Sequence, residues 1–238
     1  FNKFNIEIHP SVGQQQVYDY IRSIYCGTII LNDRKALGGK EIDIYLPDLN
    51  IGFEYDGIFW HSELSSGKVN YHAEKDKIAN DSNIKLIHIL DLEWKLKQDI
   101  VKSRIASLVG CNKRIYARTT TIKIIDSKIA SGFFNINHIQ GNTGASFYAG
   151  LYLGDLLVAA ISIGKSRYNS SQFELMRFCN ILGHNVVGGA SKLFKFAINK
   201  LGATEVMTFS DLRWGTGKLY SKLGFIHKRN NAPSYTYT

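Results

Sequence analysis

The sequence predicts an α/β chain of the α+β kind, in two parts, and three observations carry the prediction. Segments of strand period alternate with segments of helical period along all 238 residues. One stretch, Glu41 to His61, reads as a hairpin with its acids gathered on one side. The charge is unevenly divided: residues 1–116 carry 15 Lys+Arg and 15 Asp+Glu, whereas residues 117–238 carry 14 and 5, so the whole net charge of +9 lies in the second part. With 45% hydrophobic residues and only three prolines the chain can fill one large core or two modest ones. Two are expected, 1–112 and 113–238, divided near the basic run Lys113, Arg114 and Arg118.

Composition also excludes some classes. No apolar run approaches the roughly 20 residues that span a bilayer, so no membrane is expected as partner, and no signal-peptide pattern opens the sequence. With Phe1 rather than Met at its start, the sequence leaves room for a preceding segment. Cys26, Cys111 and Cys179 are odd in number and far apart, which fits neither a disulfide framework nor a zinc knuckle and suits a reducing cytoplasm.

In the hairpin, Ile42, Ile44 and Leu46 share one face of the first strand, leaving Glu41, Asp43 and Tyr45 on the other. Pro47 to Asn50 is a turn. Ile51, Phe53 and Tyr55 then form the apolar face of a second strand, and Glu54 and Asp56 point the opposite way. Crowded carboxylates repel one another unless a cation lies between them, and oxygen-only sets suit a hard ion such as Mg2+. A solvated strand face gives the same alternation.

The matches extend beyond the hairpin. Asp43 after a strand, Glu54-Tyr55-Asp56-Gly57, Phe59-Trp60-His61, then His72 and Asp76-Lys77 on a following helix occur in the order found in PD-(D/E)xK nucleases, and the chain resembles their very-short-patch-repair and EDxHD homing endonuclease branch. The resemblance implies a restriction-endonuclease-like mixed sheet, with Asp43 and Glu54 holding Mg2+ (or Mn2+). Asp56 stands where other members carry lysine, so His61, His72 or Lys77 would supply the proton chemistry. Members of this branch often carry a Glu near the start of the first helix; here the matching position is Gln14, which reads as an inactivated copy, a natural variant or a simple helix cap.

The remaining elements of the first part follow in order. Ser11-Val-Gly-Gln14 has the form of a capping box and opens a helix with Val17, Ile21 and Ile24 along one stripe. Thr28 to Leu31 reads as a short strand and Asn32-Asp33-Arg34 as a turn. Ser62 to Asn70 is a polar loop. His72 and Asp76, four apart, share a helix face, as an oriented pair or as an exposed contact. Leu86 to Leu90 is a buried strand, and Glu93 to Val109 one amphipathic helix containing Arg104, closed by Gly110.

In the second part, strands are expected over TTTIKII, Phe147–Leu153, Leu156–Ile163, Phe173–Phe178 and Glu205–Phe209, with a turn at Gly154-Asp155. Helices are expected over Ser127–His138, with Phe133 and Phe134 as core residues, and over Lys192–Leu201. Asn185-x-x-Gly188-x-Ala190 and LYSKLGF (219–225) are similar to the phosphate loop and the closing helix and strand of GNAT acyltransferases. The resemblance implies a GNAT-like α/β unit, binding acyl-CoA or, as in a DNA-modifying relative of that fold, associated with DNA; no cofactor-binding residue is assigned to it.

Together these readings imply an endonuclease acting on double-stranded DNA, of the phage homing kind. Asp43, Glu54, Asp56, His61, His72, Asp76, Lys77 and position 14 would form the active site. Arg114, Arg118, Lys165, Arg167, Arg213, Lys218, Lys228 and Arg229 would hold backbone phosphates, with Arg177, inside an apolar strand, set aside as an ion-pair partner. A basic surface that only aids solubility gives the same composition. If both strands are cut, a homodimer is one way to do it, although no residue pattern demands one. The rival readings are a DNA-bound acyltransferase and an inactive DNA-binding protein.

Overall fold

The structure, a computed structural model, describes residues 11–57, 71–166, 168 and 172–231, with the backbone alone for 71–73. It is mixed α/β. Helix α1 (Val12–Ile24) starts where Ser11 Oγ accepts the Gln14 N–H at 3.2 Å, and it buries Val17 and Ile21. Strands β1 (Ile30–Leu37), β2 (Lys40–Leu46), β3 (Ile51–Asp56) and β4 (Lys85–Leu90) form a sheet in that order. The first three are antiparallel neighbours, and β4 runs parallel to β3 after helix α2 (Tyr71–Asp81). A parallel neighbour requires such a crossover.

This sheet is covered on both faces. On one, Ile44, Leu46, Phe53, Ile87 and Ile89 pack with α1 and with helices α3 (Asp91–Leu96) and α4 (Gln98–Leu108). Phe53, Ile87 and Ile21 have no exposed surface, each contributing about 1.5–3 kcal/mol of burial. On the other, Leu37, Ile42, Tyr45 and Leu86 pack with Ala79 and Ile84, at and just beyond the end of α2. The hairpin therefore departs from strict alternation. Tyr45, expected on the polar face, is buried, and Ile42 belongs to a different cluster from Ile44 and Leu46.

Two further expectations are corrected. Asn32-Asp33-Arg34 is not a turn: β1 runs through it, with Asn32 at φ 51° and an irregular register beyond Asp33, whose Oδ1 accepts the N–H groups of Lys35 and Ala36 at 3.1 and 2.7 Å. The chain reverses at Gly38-Gly39, both at positive φ, which glycine adopts without strain. The helix expected over 93–109 is two, broken at Lys97 (φ −137°, ψ 38°).

The second sheet has the order β11-β9-β8-β7-β6, built from β6 (Thr121–Ile124), β7 (Phe147–Leu153), β8 (Leu156–Lys165), β9 (Phe173–Asn180) and β11 (Val206–Met207). Gly154, at φ 62°, turns β7 into β8 as expected. Helix α5 (Ser127–Asn137), capped by Asp126, buries Phe133 and Phe134 against this sheet. Two short strands missed in the sequence, β5 (Lys113–Tyr116) and β10 (His184–Val187), pair in parallel. Helix α6 (Gly189–Leu201) starts from Gly188 at φ 79°. Helix α7 (Lys218–Lys222) leads to Phe225, which packs on Phe194 and Tyr220, but no closing strand follows among the described residues.

The two sheets meet through polar and apolar contacts. Ile139 and Trp214 join the core of the first sheet. Gly183 N donates to Ser103 Oγ at 2.9 Å, and Asn185 Oδ1 accepts from Ser107 Oγ at 2.9 Å and Asn112 Nδ2 at 3.3 Å. Among the described residues, no helix is long and apolar enough to cross a membrane.

Candidate active site

The site begins where the β2–β3 ladder gives way to side chains. Backbone partners run from Leu46↔Ile51 to Ile44↔Phe53. One residue further, the carboxylates take over: Asp43 Oδ2 accepts the Tyr55 N–H at 2.8 Å, and Glu54 Oε1 accepts the Asp43 N–H at 3.4 Å. Asp43 and Glu54 are thereby fixed across adjacent strands, each held to the other's strand by a backbone donor. Glu54 is only 6% exposed.

Two cations that the sequence reading did not single out complete the cluster. Lys75, on α2, is 4% exposed and forms an ion pair with Glu54 Oε2. His88, on β4 opposite Glu54, lies between two acids: Nδ1 is 2.9 Å from Asp56 Oδ2 and Nε2 is 3.0 Å from Asp76 Oδ1. Three elements converge because β4 returns parallel to β3 and α2, between them in sequence, packs back over the same face.

Burial and charge set the protonation of these groups. Burial and the neighbouring Asp43 carboxylate push Glu54 up to about 7, against the pull of Lys75 and His88. Burial raises Asp43 too, opposed by the Tyr55 N–H and Lys75. Burial alone would lower His88, but its bonds to Asp56 and Asp76 outweigh that and push it up to about 10, so it is an imidazolium at neutral pH.

The predicted residues are thus partly brought together. Asp43, Glu54, Asp56 and Asp76 belong to one connected cluster. Asp76 bonds His88; the side chain of His72, its expected partner, lies outside the described residues, as do His61 and Arg167. Lys77 is exposed, on the outward side of α2 from Lys75. The Gln14 backbone is part of the helix cap, while its amide Nε2 donates to Asn32 Oδ1 at 3.4 Å. Asn32 lies between Leu31 and Asp33, whose β2 partners are Ile44 and Ile42, so position 14 reaches the sheet at the level of Asp43.

Signals for the missed pair existed. His88 interrupts the apolar strand LIHIL, and a polar residue in a buried strand needs partners. Lys75 is four residues before the buried Ala79, on the inward face of α2.

The donor set fits a hard divalent cation. Asp43 and Glu54 offer neighbouring carboxylates whose affinity for protons is raised mainly by burial, and Mg2+ is commonly held by one or two carboxylates with waters and substrate oxygens. Among the described residues no group of three or more His, Cys, Asp and Glu side chains is arranged to hold a metal by itself.

Of the cations assigned to phosphate contacts, Arg114, Arg118, Lys165, Lys218, Lys228 and Arg229 are exposed. They are spread over β5, the turn after it, the end of β8, α7 and the segment beyond it. Arg213 is committed elsewhere: its guanidinium bonds Glu93 at 2.9 Å and Asp211 at 2.7 Å, between the two sheets. Arg177 donates to the carbonyls of Gly141 and Met176. Around the loop over 185–190, Asn185 faces Ser107 and Asn112, and Lys192 Nζ donates to the carbonyls of Ala117 and Thr120. No protein-family model matches the chain, and no curated protein matches it.

Proposed function

We propose that the chain is a metal-dependent endonuclease of the PD-(D/E)xK type, of the homing endonuclease kind, hydrolysing phosphodiester bonds of double-stranded DNA. The observation that carries this reading is the cross-strand pair Asp43 and Glu54, anchored by backbone N–H groups beside the buried Lys75. Asp43 and Glu54 would hold Mg2+ or Mn2+. When bound, the ion supplies Lewis-acid polarisation of the phosphate and a lowered pKa for a water.

The chain's own residues do the rest. Hydrolysis forms a phosphorus–oxygen bond from water and breaks the bond to the departing sugar oxygen, which receives a proton. Lys75 supplies the ammonium that the motif lacks at position 56, orienting Glu54 and offsetting charge that develops on the phosphate. His88 holds Asp56 and Asp76 together as an imidazolium and, fully protonated near pH 7, serves as a brace rather than a base. The exposed cations of the second part would hold backbone phosphates. In this reading Gln14, whose amide bonds Asn32, stands at the position where related nucleases often carry a carboxylate.

The test is nicking of supercoiled DNA of mixed sequence, with Mg2+ or with EDTA, by the wild-type chain, Gln14→Glu and Asp43→Ala. Metal-dependent cutting by either of the first two, lost in Asp43→Ala, supports the reading. Salt-sensitive DNA binding with no cutting by any form replaces it with an inactive DNA-binding protein.

A further inference from the structure

The parallel ribbon β5–β10 holds no member of the carboxylate cluster, and its two faces differ. Ile115 and Val186, paired across the strands, turn into the core of the second sheet, which sends Tyr116 and its partner Val187 the opposite way. Both stay nearly half exposed, at 46% and 47%. Arg114, two residues before Tyr116 and on the same side, is exposed as well. The short turn Ala117–Thr119 then brings Arg118 back over the ribbon, its guanidinium 5.1 Å from the centre of the Tyr116 ring.

The turn that carries Arg118 is pinned from beneath. The Thr120 N–H donates to the Ala117 carbonyl at 3.1 Å, Lys192 Nζ donates to the same carbonyl at 2.8 Å, and Ala117 and Thr120 are both buried. Ring and guanidinium therefore stand on a fixed backbone and have little freedom to lose on binding. The segments 112–125 and 181–204, which supply the ribbon, the turn and α6, contain no Asp or Glu, so their cations are not neutralised by acids of their own segments. An accessible ring flanked by arginines in an acid-free stretch suits a partner that alternates flat aromatic faces with phosphates.

We propose that the β5–β10 ribbon binds single-stranded DNA, with an unpaired base lying against Tyr116 and Arg118 and a neighbouring phosphate held by Arg114. Val187, beside Tyr116 in the register, extends the apolar contact under the base. A duplex keeps its base faces stacked on one another and offers only their edges in the grooves, so Tyr116 meets a base face only where the strands are parted. The inference rests on DNA being the partner, and not on its being cut.

The test is fluorescence anisotropy of the full chain at low salt with a labelled oligothymidine strand, beside a DNA duplex of equal length. Tyr116→Ala should weaken binding of the strand about tenfold and of the duplex less than about twofold, while Tyr116→Phe, which keeps the ring, should stay within about twofold of wild type on both. Irradiation of a strand carrying 5-iododeoxyuridine should attach it to the tryptic peptide 115–118 of the wild-type chain, a readout that does not depend on any variant folding. Strand binding by Tyr116→Ala equal to wild type, equal losses on strand and duplex, or attachment only to other peptides overturns the proposal and leaves the nuclease reading standing. Binding of neither strand nor duplex overturns both. An oligouridine strand bound more tightly than oligothymidine overturns DNA as the source of the unpaired base.

Discussion

The two sheets solve the burial of polar groups in opposite ways. In the first, the β2–β3 ladder stops at Ile44↔Phe53, and carboxylates continue it, so charge is built into the sheet and must be balanced by Lys75 and His88. In the second, β7, β8 and β9 pair over nearly their full length around Ala149, Leu151, Val158, Ala159 and Ile161, and the cations assigned to phosphate contacts stay mainly at the rim. A sheet that stores paired charge is suited to chemistry. One with a largely apolar interior, interrupted on the described strands by the buried Ser162 and Glu174, and a basic exterior is suited to being a platform. Four predictions break or sharpen this contrast.

The largest effect is expected at Asp43. Asp43→Ala should lower the rate of DNA cutting by roughly 10²–10³-fold while circular dichroism remains native, because a partly exposed carboxylate is removed without opening a core cavity. Next comes Lys75→Met, which leaves Glu54 buried without its cation and should cost about 3 kcal/mol in urea unfolding at pH 8. The loss should shrink as pH falls towards 7, because Glu54, already raised to about 7 with the Lys75 ammonium beside it, takes up a proton more readily still once that ammonium is gone. An equivalent change in the second sheet, Lys165→Met, should cost under about 0.5 kcal/mol, since Lys165 is exposed.

The pH dependence of stability gives the third prediction. His88 is raised in the folded state to about 10, so its contribution is fully present below about pH 6.5 and is lost as pH rises through 10. The stability difference between wild type and His88→Gln should therefore narrow steadily from pH 6.5 to 10; a difference that grows over that range would contradict the brace. The smallest effect is expected at the rim. Lys228→Gln should weaken DNA binding modestly and reduce the salt slope by about one unit, whereas Arg213→Gln should lower stability with little change in that slope.

Much of the architecture was legible because it rests on local signals. The Ser11 cap, the Pro47–Asn50 turn, the Gly154 turn and the apolar strands each announce themselves within a few residues. The errors arose where tertiary contacts override local pattern. Asp33 bonds its own neighbours and lets β1 pass through a turn-like triplet, and α2 covers the face on which Tyr45 looked exposed. In the site, Asp43, Glu54 and Asp56 were readable from alternation, and Asp76 from the motif order. Lys75 and His88 were not, since their roles depend on which residues α2 and β4 turn inward and no spacing connects them to the hairpin.

The central claim, that Asp43 and Glu54 jointly hold a divalent cation, is tested most directly by titrating Mn2+ into the chain and following the free ion by electron paramagnetic resonance at pH 8. The account predicts one bound Mn2+ displaced by excess Mg2+, with binding weakened at least about tenfold in both Asp43→Asn and Glu54→Gln. Mn2+ binding that is absent, or unchanged in both variants, would contradict it.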